Sequence, residues 1–225
     1  MKLDDVVVEA RRLLQDSNVP YRYSDAMLLG FANQALKRMA VLRPDLFAFL
    51  GQIPTVQNSV LQTMPADSIR IIEVFSVVGG EGIIESNRES LDQAYPSWIN
   101  DSAAPCVNWM RHPRNANKYF IYPKAPAGQE LVAEYAKAPR TYAGDEEVEL
   151  LPDAYFPSVV DGTLFLASSV DDEHVNSGRA QLFYQSFTQT LGVEIQNRDL
   201  TDDEDAGAIP NLRNANARKT VTGGR

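Results

Sequence analysis

The sequence predicts an α+β fold in which a four-helix bundle, formed by N- and C-terminal helical pairs, carries an inserted antiparallel β-sandwich or barrel domain. Apolar residues recur at helical spacing over residues 3–42 and again over residues 153–196. Between them, over residues 53–137, short runs rich in β-branched residues are separated by turn residues. A sheet domain placed between two helical pairs implies that the helices close on each other and that the sheet projects outward.

We divide the chain into four predicted segments on this basis. They are the first part of a helical domain (1–50), an inserted β domain (51–145), the second part of the helical domain (146–198) and a flexible C-terminal arm (199–225). The arm contains few large apolar residues, which favours disorder when it is alone.

The first helical pair is defined by its termini. Apolar residues at helical spacing over residues 3–14 predict the first helix, which residues 18–20 stop. Asp4 and Asp5 suit the positive end of its dipole. Ser24 is a typical N-cap for the second helix. Pro44 disfavours helical geometry at the residue before it and therefore ends that helix.

The β region consists of short strands and turns. Strands are predicted at residues 69–75, 107–110, 119–122 and 131–135, with one short helical turn at 90–94. The sequence Gly79-Gly80-Glu81-Gly82 permits positive φ angles and predicts a hairpin tip, which we interpret as an exposed docking loop. Residues 112–117 form a second predicted loop, which includes Arg114 and Asn115.

The second helical pair follows a polar connector. Asp153 is predicted to cap the third helix, and Pro157 is tolerated in its first turn. The apolar stripe of the fourth helix is predicted to comprise Ala180, Phe183, Tyr184, Phe187 and Leu191.

Composition limits the range of functions. The net charge of −9 argues against binding to the nucleic-acid backbone. It does not exclude DNA passing nearby, because an acidic surface repels the phosphates and does not retain them. One cysteine, Cys106, excludes an internal disulfide and a cysteine-based zinc site. The chain has no apolar run of membrane-spanning length and no secretory signal near its start, so we expect it to be made in a cytoplasm.

Several residues are candidates for a metal, nucleophile or stacking site, but their sequence context favours a structural role. Asp171-Asp172-Glu173-His174 resembles a metal or acid–base cluster, but consecutive residues point in different directions, so a solvated turn is favoured. Nothing near Cys106 in sequence would lower its pKa. The aromatic residues of the β region suggest a stacking platform, but core packing is favoured because alternate strand residues must face inward. We therefore predict no catalytic residues, no cofactor and no metal.

Several short stretches, taken in order, carry a family resemblance. They lie at residues 3–6 and 10–16, 23–25 and 33–35, 61–65, 119–126, 132–139, and 178–180 and 183–187. In this order they resemble the head-to-tail adaptor proteins of tailed phages. No single motif is diagnostic, and the resemblance covers nearly the whole chain up to about residue 197. The chain is also similar to the tail-tube A, or gatekeeper, proteins of short-tailed phages.

The resemblance implies a structural protein of the virion neck, made in the bacterial host. Such adaptors form a ring, usually of twelve copies, that docks under the portal vertex, extends the DNA channel and connects it to the tail nozzle or tail tube. Genomic DNA would pass through without sequence-specific binding, and no membrane is involved. Family members often stay monomeric until they meet the portal.

The resemblance assigns roles to particular residues. The C-terminal arm, which carries Arg213, Arg218, Lys219 and Arg225, would dock on the portal or a neighbouring subunit; an inert solubilising tail is the open alternative. A ring requires a helical face in excess of what the monomer core needs. We expect the subunit interface to include Asp171, Asp172, Glu173, Arg179 and Gln185, and the tail-facing loops to include Gly79, Gly80, Glu81, Arg114 and Asn115.

Two other functions compete with the adaptor hypothesis. One is a different virion or tail protein whose β domain binds host glycan or another protein, for which Trp98 and Trp109 would be the contact residues. The other is an enzyme, which the sequence disfavours because no nucleophile–base pair or metal set is visible.

Overall fold

The computed structural model describes residues 1–170 and 177–192, and these residues form the predicted α+β fold. Their α-helices are α1 (Leu3–Leu14), α2 (Asp25–Leu42), α3 (Arg88–Ala94), α4 (Phe156–Ser168) and α5 (Ser177–Thr190). Their strands are β1 (Ala48–Pro54), β2 (Leu61–Thr63), β3 (Ser68–Val77), β4 (Ile84–Glu85), β5 (Asn108–Arg111), β6 (Lys118–Tyr122) and β7 (Glu130–Lys137).

Two compact units divide the described residues. The helical unit comprises residues 1–47, 137–170 and 177–192, and therefore holds α1, α2, α4 and α5. The β unit comprises residues 48–136, and therefore holds the strands and α3.

Local capping sets the limits of the first two helices; the Ser24 cap and the end of α2 before Pro44 are as predicted, whereas α1 ends before the predicted stop at residues 18–20. Asp4 and Asp5 lie in the first turn of α1, which ends at Gln15 in a left-handed conformation with φ of 57°. The Ser24 side chain accepts a hydrogen bond from the Met27 N–H at 3.2 Å and caps α2. Arg43 flanks the end of α2 directly before Pro44.

Helix α4 is the central element of the helical unit, because it contacts α1, α2 and α5. Its residues are buried on nearly every side, which is typical of a helix enclosed by others. The buried residues are Ser158, Val159, Val160, Gly162, Thr163, Leu164, Leu166 and Ala167. Gly162 marks the closest approach: a Cβ atom there would lie 2.9 Å from the Ala35 Cβ of α2 and 2.9 Å from the Phe187 Cε2 of α5.

The prediction that Asp153 caps this helix is wrong. Asp153–Tyr155 form a 3₁₀ turn, and α4 begins only at Phe156, preceded by Tyr155, which makes no capping hydrogen bond through its side chain. The Asp153 Oδ1 instead accepts a hydrogen bond from the Met1 amino group. Pro157 does lie in the first turn of α4, as predicted.

The apolar stripe of α5 is narrower than predicted. Ala180, Phe187 and Leu191 are buried, but Phe183 is only half-buried and Tyr184 is 43% exposed. The pattern overestimated the stripe because helical spacing reports which residues share a side of the helix, whereas the width of the covered side depends on its neighbours.

A hydrogen-bond network joins α1 to α2 through the link between them. Asp16 accepts bonds from the backbone N–H groups of Arg22 and Tyr23, at 2.9 and 3.0 Å, and from the Arg11 Nη1 at 2.8 Å. The other nitrogen of the Arg11 fork, Nη2, donates to the Tyr23 carbonyl and to Asp25. Tyr23 in turn donates its hydroxyl to the Ala167 carbonyl of α4 at 2.9 Å. The link is therefore tied to three helices.

Asn33 ties α2 to the segment that returns from the β unit. Its side-chain oxygen accepts from the Tyr142 N–H at 2.8 Å, and its nitrogen donates to the Tyr142 and Leu29 carbonyls, each at 3.0 Å. Because Asn33 is buried, these bonds satisfy polar groups that have little access to water.

The β unit contains two sheets. One has the strand order β1-β7-β3, and the other has the order β2-β6-β5-β4. The pairings β1–β7, β2–β6 and β5–β6 are antiparallel, but β4 pairs parallel with β5. Strand β1 begins at Ala48, five residues before the β-like region that was predicted from residue 53. Its register with β7 runs from Ala48↔Ala136 to Pro54↔Glu130.

Both sheets contribute to one hydrophobic cluster. It includes Ile53 of β1, Ile71 and Val74 of β3, Trp109 of β5, Tyr119 and Ile121 of β6, and Leu131, Ala133 and Tyr135 of β7. A smaller cluster surrounds Trp98, Leu91 and Met110. The inward residues of β7 alternate with outward ones, as the pleat of a strand requires.

Gly162 and Gly30 provide a matched test of helix packing. Gly162→Ala is expected to destabilise the protein by about 1–3 kcal/mol, because overpacking at the α2 and α5 contacts outweighs the gain in helix propensity. Gly30→Ala in α2 meets nothing within 4 Å and is expected to stabilise by about 0.5–1 kcal/mol. Thermal unfolding monitored by circular dichroism measures both; equal shifts for the two variants would contradict the packing described here.

The Asp16 network predicts a pH-dependent stability. Burial acts to raise the pKa of Asp16, but the Arg22 and Tyr23 N–H groups and the Arg11 guanidinium outweigh it, and the net pKa is lowered. The stabilisation is therefore present above the unfolded pKa of about 3.9 and is lost as the pH falls through the lower folded value.

Asp16→Asn is accordingly expected to lower the free energy of unfolding at pH 7 and to differ less from the wild type below about pH 4. Urea unfolding across this pH range measures the difference. Asp145→Asn, at an exposed carboxylate, is the control. A gap that stays constant with pH would refute the role of the Asp16 charge.

Candidate functional site

Among the described residues, the thiol and the tryptophans that the sequence offered for chemistry are buried. Cys106 is 2% exposed, and burial raises the pKa of its thiol to about 12, so it is not a poised nucleophile. It lies before β5 rather than within a strand, and its Sγ faces the Asn108 carbonyl oxygen at 3.2 Å. Trp98, Trp109 and Tyr119 are fully buried, which confirms the prediction that these aromatic residues pack in a core.

The loop at residues 112–117 is organised by His112. The imidazole stacks on Phe120 with ring centroids 5.4 Å apart and an interplanar angle of 14°. Its Nδ1 accepts hydrogen bonds from the backbone N–H groups of Arg114 and Asn115, at 3.2 and 3.0 Å. Arg114 and Asn115 are exposed. The loop therefore presents these two residues on a defined backbone.

The loop at residues 79–82 is the predicted hairpin tip. Gly79 has φ of +68°, which favours glycine, and the Val77 N–H donates to the Glu81 carbonyl at 3.2 Å. Ser76 and Gly82 form an isolated antiparallel bridge. The chain then enters β4, whose hydrogen-bonded strand partner in the sheet is β5. Gly79, Gly80 and Glu81 are exposed at the tip.

The described part of α5 carries two of the predicted interface residues, Arg179 and Gln185, and both are exposed. Arg179 Nη2 donates to the Leu13 carbonyl at 2.9 Å, so this side chain also joins α5 to α1. Leu182, which the sequence reasoning did not select, is 66% exposed between them. An exposed leucine on a helix with few charged residues is typical of a surface that another chain covers.

The sequence reasoning also did not predict the groove between α2 and α5. It has a volume of about 450 Å³ and is lined by Lys37, Arg38, Val41 and Leu42 of α2 and by Tyr184 and Phe187 of α5. Val41 is 69% exposed. It follows Lys37 by four residues and Arg38 by three, so the sequence did indicate that these three residues lie on one side of α2. Sequence alone could not show it because the groove depends on which side of α5 faces α2.

The remaining predicted site residues lie outside the described residues. These are Asp171, Asp172 and Glu173 among the interface candidates, and Arg213, Arg218, Lys219 and Arg225 of the arm. Within residues 1–170 and 177–192, no group of three or more His, Cys, Asp or Glu side chains is arranged to hold a metal ion. None of the helices in these same residues is long and apolar enough to cross a membrane.

The comparison with known families identifies the class of protein. The family described as SU10 adaptor protein matches residues 1–212. The chain belongs to this family of phage head-to-tail adaptors and is a structural component of the virion. It therefore interacts with other phage head and tail proteins. A comparison with curated proteins gave no match.

The His112 contacts predict a local effect on the loop. His112→Ala removes the acceptor for two backbone N–H groups, each bond contributing about 0.5–1.5 kcal/mol, so amide exchange at Arg114 and Asn115 should accelerate on the order of ten-fold. His112→Asn retains an acceptor oxygen at this position and should restore part of the protection. Hydrogen exchange by NMR measures this, and unchanged rates in His112→Ala would show that the imidazole does not order the loop.

Proposed function

We propose that this protein forms a ring under the portal vertex, extends the DNA channel and connects it to the tail nozzle or tail tube. The family match over residues 1–212 is the observation that carries the proposal. About twelve copies are expected, joined by a heterologous contact that closes by rotation. In this proposal the helical unit is a four-helix bundle and the two sheets of the β unit form a sandwich.

The exposed side of α5 supports its role as part of the ring interface. Leu182 remains 66% exposed although α5 is packed on α4. Arg179 and Gln185 lie on the same helix and would supply polar contacts at the rim of such an interface. We extend this interface to Asp171, Asp172 and Glu173, which precede α5 in sequence.

The two ordered loops of the β unit support a role in tail contact. His112 fixes the backbone of Arg114 and Asn115, and the Gly79 turn fixes Gly80 and Glu81. Rigid loops lose little conformational entropy when a partner binds. We propose that both loops contact the nozzle or tail tube, within an inserted domain that covers residues 51–145.

Net charge supports passage of DNA through the ring. The chain carries a net charge of −9, and an acidic channel wall repels phosphates rather than retaining them. Binding of DNA through clustered Lys and Arg would oppose ejection. We therefore propose contact with genomic DNA in transit, without sequence recognition.

Mass photometry tests the proposal directly. The purified chain, measured alone and mixed with the portal ring from the same genome, should give a 25.0 kDa monomer and a portal species heavier by about twelve chains. A portal species without added mass would overturn the docking proposal. The next test would then be binding of the β unit to host glycans.

The C-terminal arm gives a specific prediction. Deletion of residues 210–225 should leave the monomer folded and abolish docking. Replacement of Arg213, Arg218, Lys219 and Arg225 by Gln should weaken docking, because charge-assisted contacts to the portal are lost. The matched control replaces Lys2, Arg114, Lys118 and Lys124 by Gln. Docking that resists both the deletion and the four-residue change would show that the arm is a solubilising tail.

Glycan binding by the β unit is the weaker candidate function. Trp98 and Trp109, the residues that would carry it, are fully buried. The Trp98 indole N–H already donates to Asp92 at 2.6 Å. These side chains have no face available for a sugar ring.

A further inference from the structure

The groove between α2 and α5 combines an apolar lining with two cations. Val41 and Tyr184 are exposed beside the buried Phe187. Lys37 and Arg38 line the same groove. Among the described residues, neither cation has a carboxylate partner: Lys37 contacts the Thr141 hydroxyl at 3.4 Å, and Arg38 lies over the Phe165 ring at 5.2 Å. An occupant should therefore be acidic and carry some apolar side chains.

The chain itself contains a segment of this chemistry. Residues 199–205 contain five acids and one leucine, namely Asp199, Asp202, Asp203, Glu204, Asp205 and Leu200. The apolar residues Val193 and Ile195 precede this run. Its charge complements Lys37 and Arg38.

The connection between α5 and this segment is long enough. The Arg43 guanidinium at the end of α2 donates to the Leu191 carbonyl after α5, so both helices end at the same end of the groove. Lys37 lies six residues before Arg43, a rise of about 9 Å along α2. Residues 193–198 reach at most about 20 Å when extended, which suffices to bring residue 199 back to Lys37. The short loop keeps the entropic cost of closure small.

We propose that the acidic segment 199–205 docks in the α2–α5 groove of its own chain. Its carboxylates pair with Lys37 and Arg38, and its apolar side chains cover Val41 and Tyr184. Docking fixes the position at which the basic residues of the arm leave the helical unit. The inference goes beyond the adaptor role. It is tested on the chain without portal, so a failure of the docking proposal and a failure of the adaptor proposal can be told apart.

A spin label tests the proposal on the full-length chain. Ala206→Cys places one reactive thiol beside the acidic segment, while Cys106 stays unlabelled because it is buried. The label should broaden the methyl signals of Val41 and Leu42. Lys37→Glu with Arg38→Glu should abolish most of this broadening, and adding Asp202→Lys with Asp203→Lys should restore it. Raising the salt concentration should weaken it.

Two controls make the outcomes decisive. Arg114→Glu with Lys118→Glu changes the net charge equally and should leave the broadening intact. Broadening that is absent in the wild-type background, or unchanged by the Lys37 and Arg38 reversal, overturns the proposal. A mixture of isotope-labelled chains without the spin label and unlabelled chains with it should show no broadening. Broadening in the mixture would assign the groove to a second copy instead.

Discussion

The close approach of three helices at Gly162 is the constraint on which the helical unit depends. The Ala35 Cβ of α2 and the Phe187 Cε2 of α5 each lie 2.9 Å from the position that a Cβ of residue 162 would take, so α4 can approach both helices this closely because residue 162 is glycine. Interiors are packed densely enough that a single methyl group at such a contact is felt. Helix α4 also contacts α1, so its position is shared by the three other long helices of the unit.

Polar contacts then fix how the unit closes. Asp16, Arg11 and Tyr23 tie the α1–α2 link to α4, and Asn33 ties α2 to Tyr142 in the returning segment. Asp16, Arg11, Tyr23 and Asn33 belong to the stretches that resemble phage adaptors, whereas Tyr142 and Ala167 lie outside them. Their hydrogen bonds join the parts of the helical unit that precede and follow the β unit in sequence. The burial of Asn33 makes those bonds costly to lose.

The family match makes this chain a structural phage adaptor, and the surfaces of its described residues are therefore the features to consider. Its single thiol is buried, and Trp98, Trp109 and Tyr119 pack inside the β unit. Its exposed features include Leu182 of α5, the α2–α5 groove with two cations, and two ordered loops. An assembly protein needs such features, because its binding free energy comes from complementary patches that are covered only in the complex. The proposed docking of the acidic segment 199–205 fits this logic, because it would cover the apolar groove.

Much of the local structure was predictable from the sequence. The start of α1, the limits of α2, the Ser24 cap, the position of Pro157 and the turn at Gly79 depend on neighbouring residues, so their signals are short-range. The loop of Arg114 and Asn115 was also located, but the stacking of His112 on Phe120 that orders it was not.

Tertiary structure decided what depends on distant partners. Strand β1 extends back to Ala48 because Ala136 of β7, more than 80 residues later, pairs with it. Strand β4 runs parallel to its partner β5. Asp153 meets the Met1 amino group instead of capping α4. The α2–α5 groove and the exposure of Tyr184 follow from the rotation of α5 against α2 and α4. The sequence by itself determined the elements and their order, since these depend on local propensity and periodicity; the surfaces arose only when long-range packing chose which side of each element is covered.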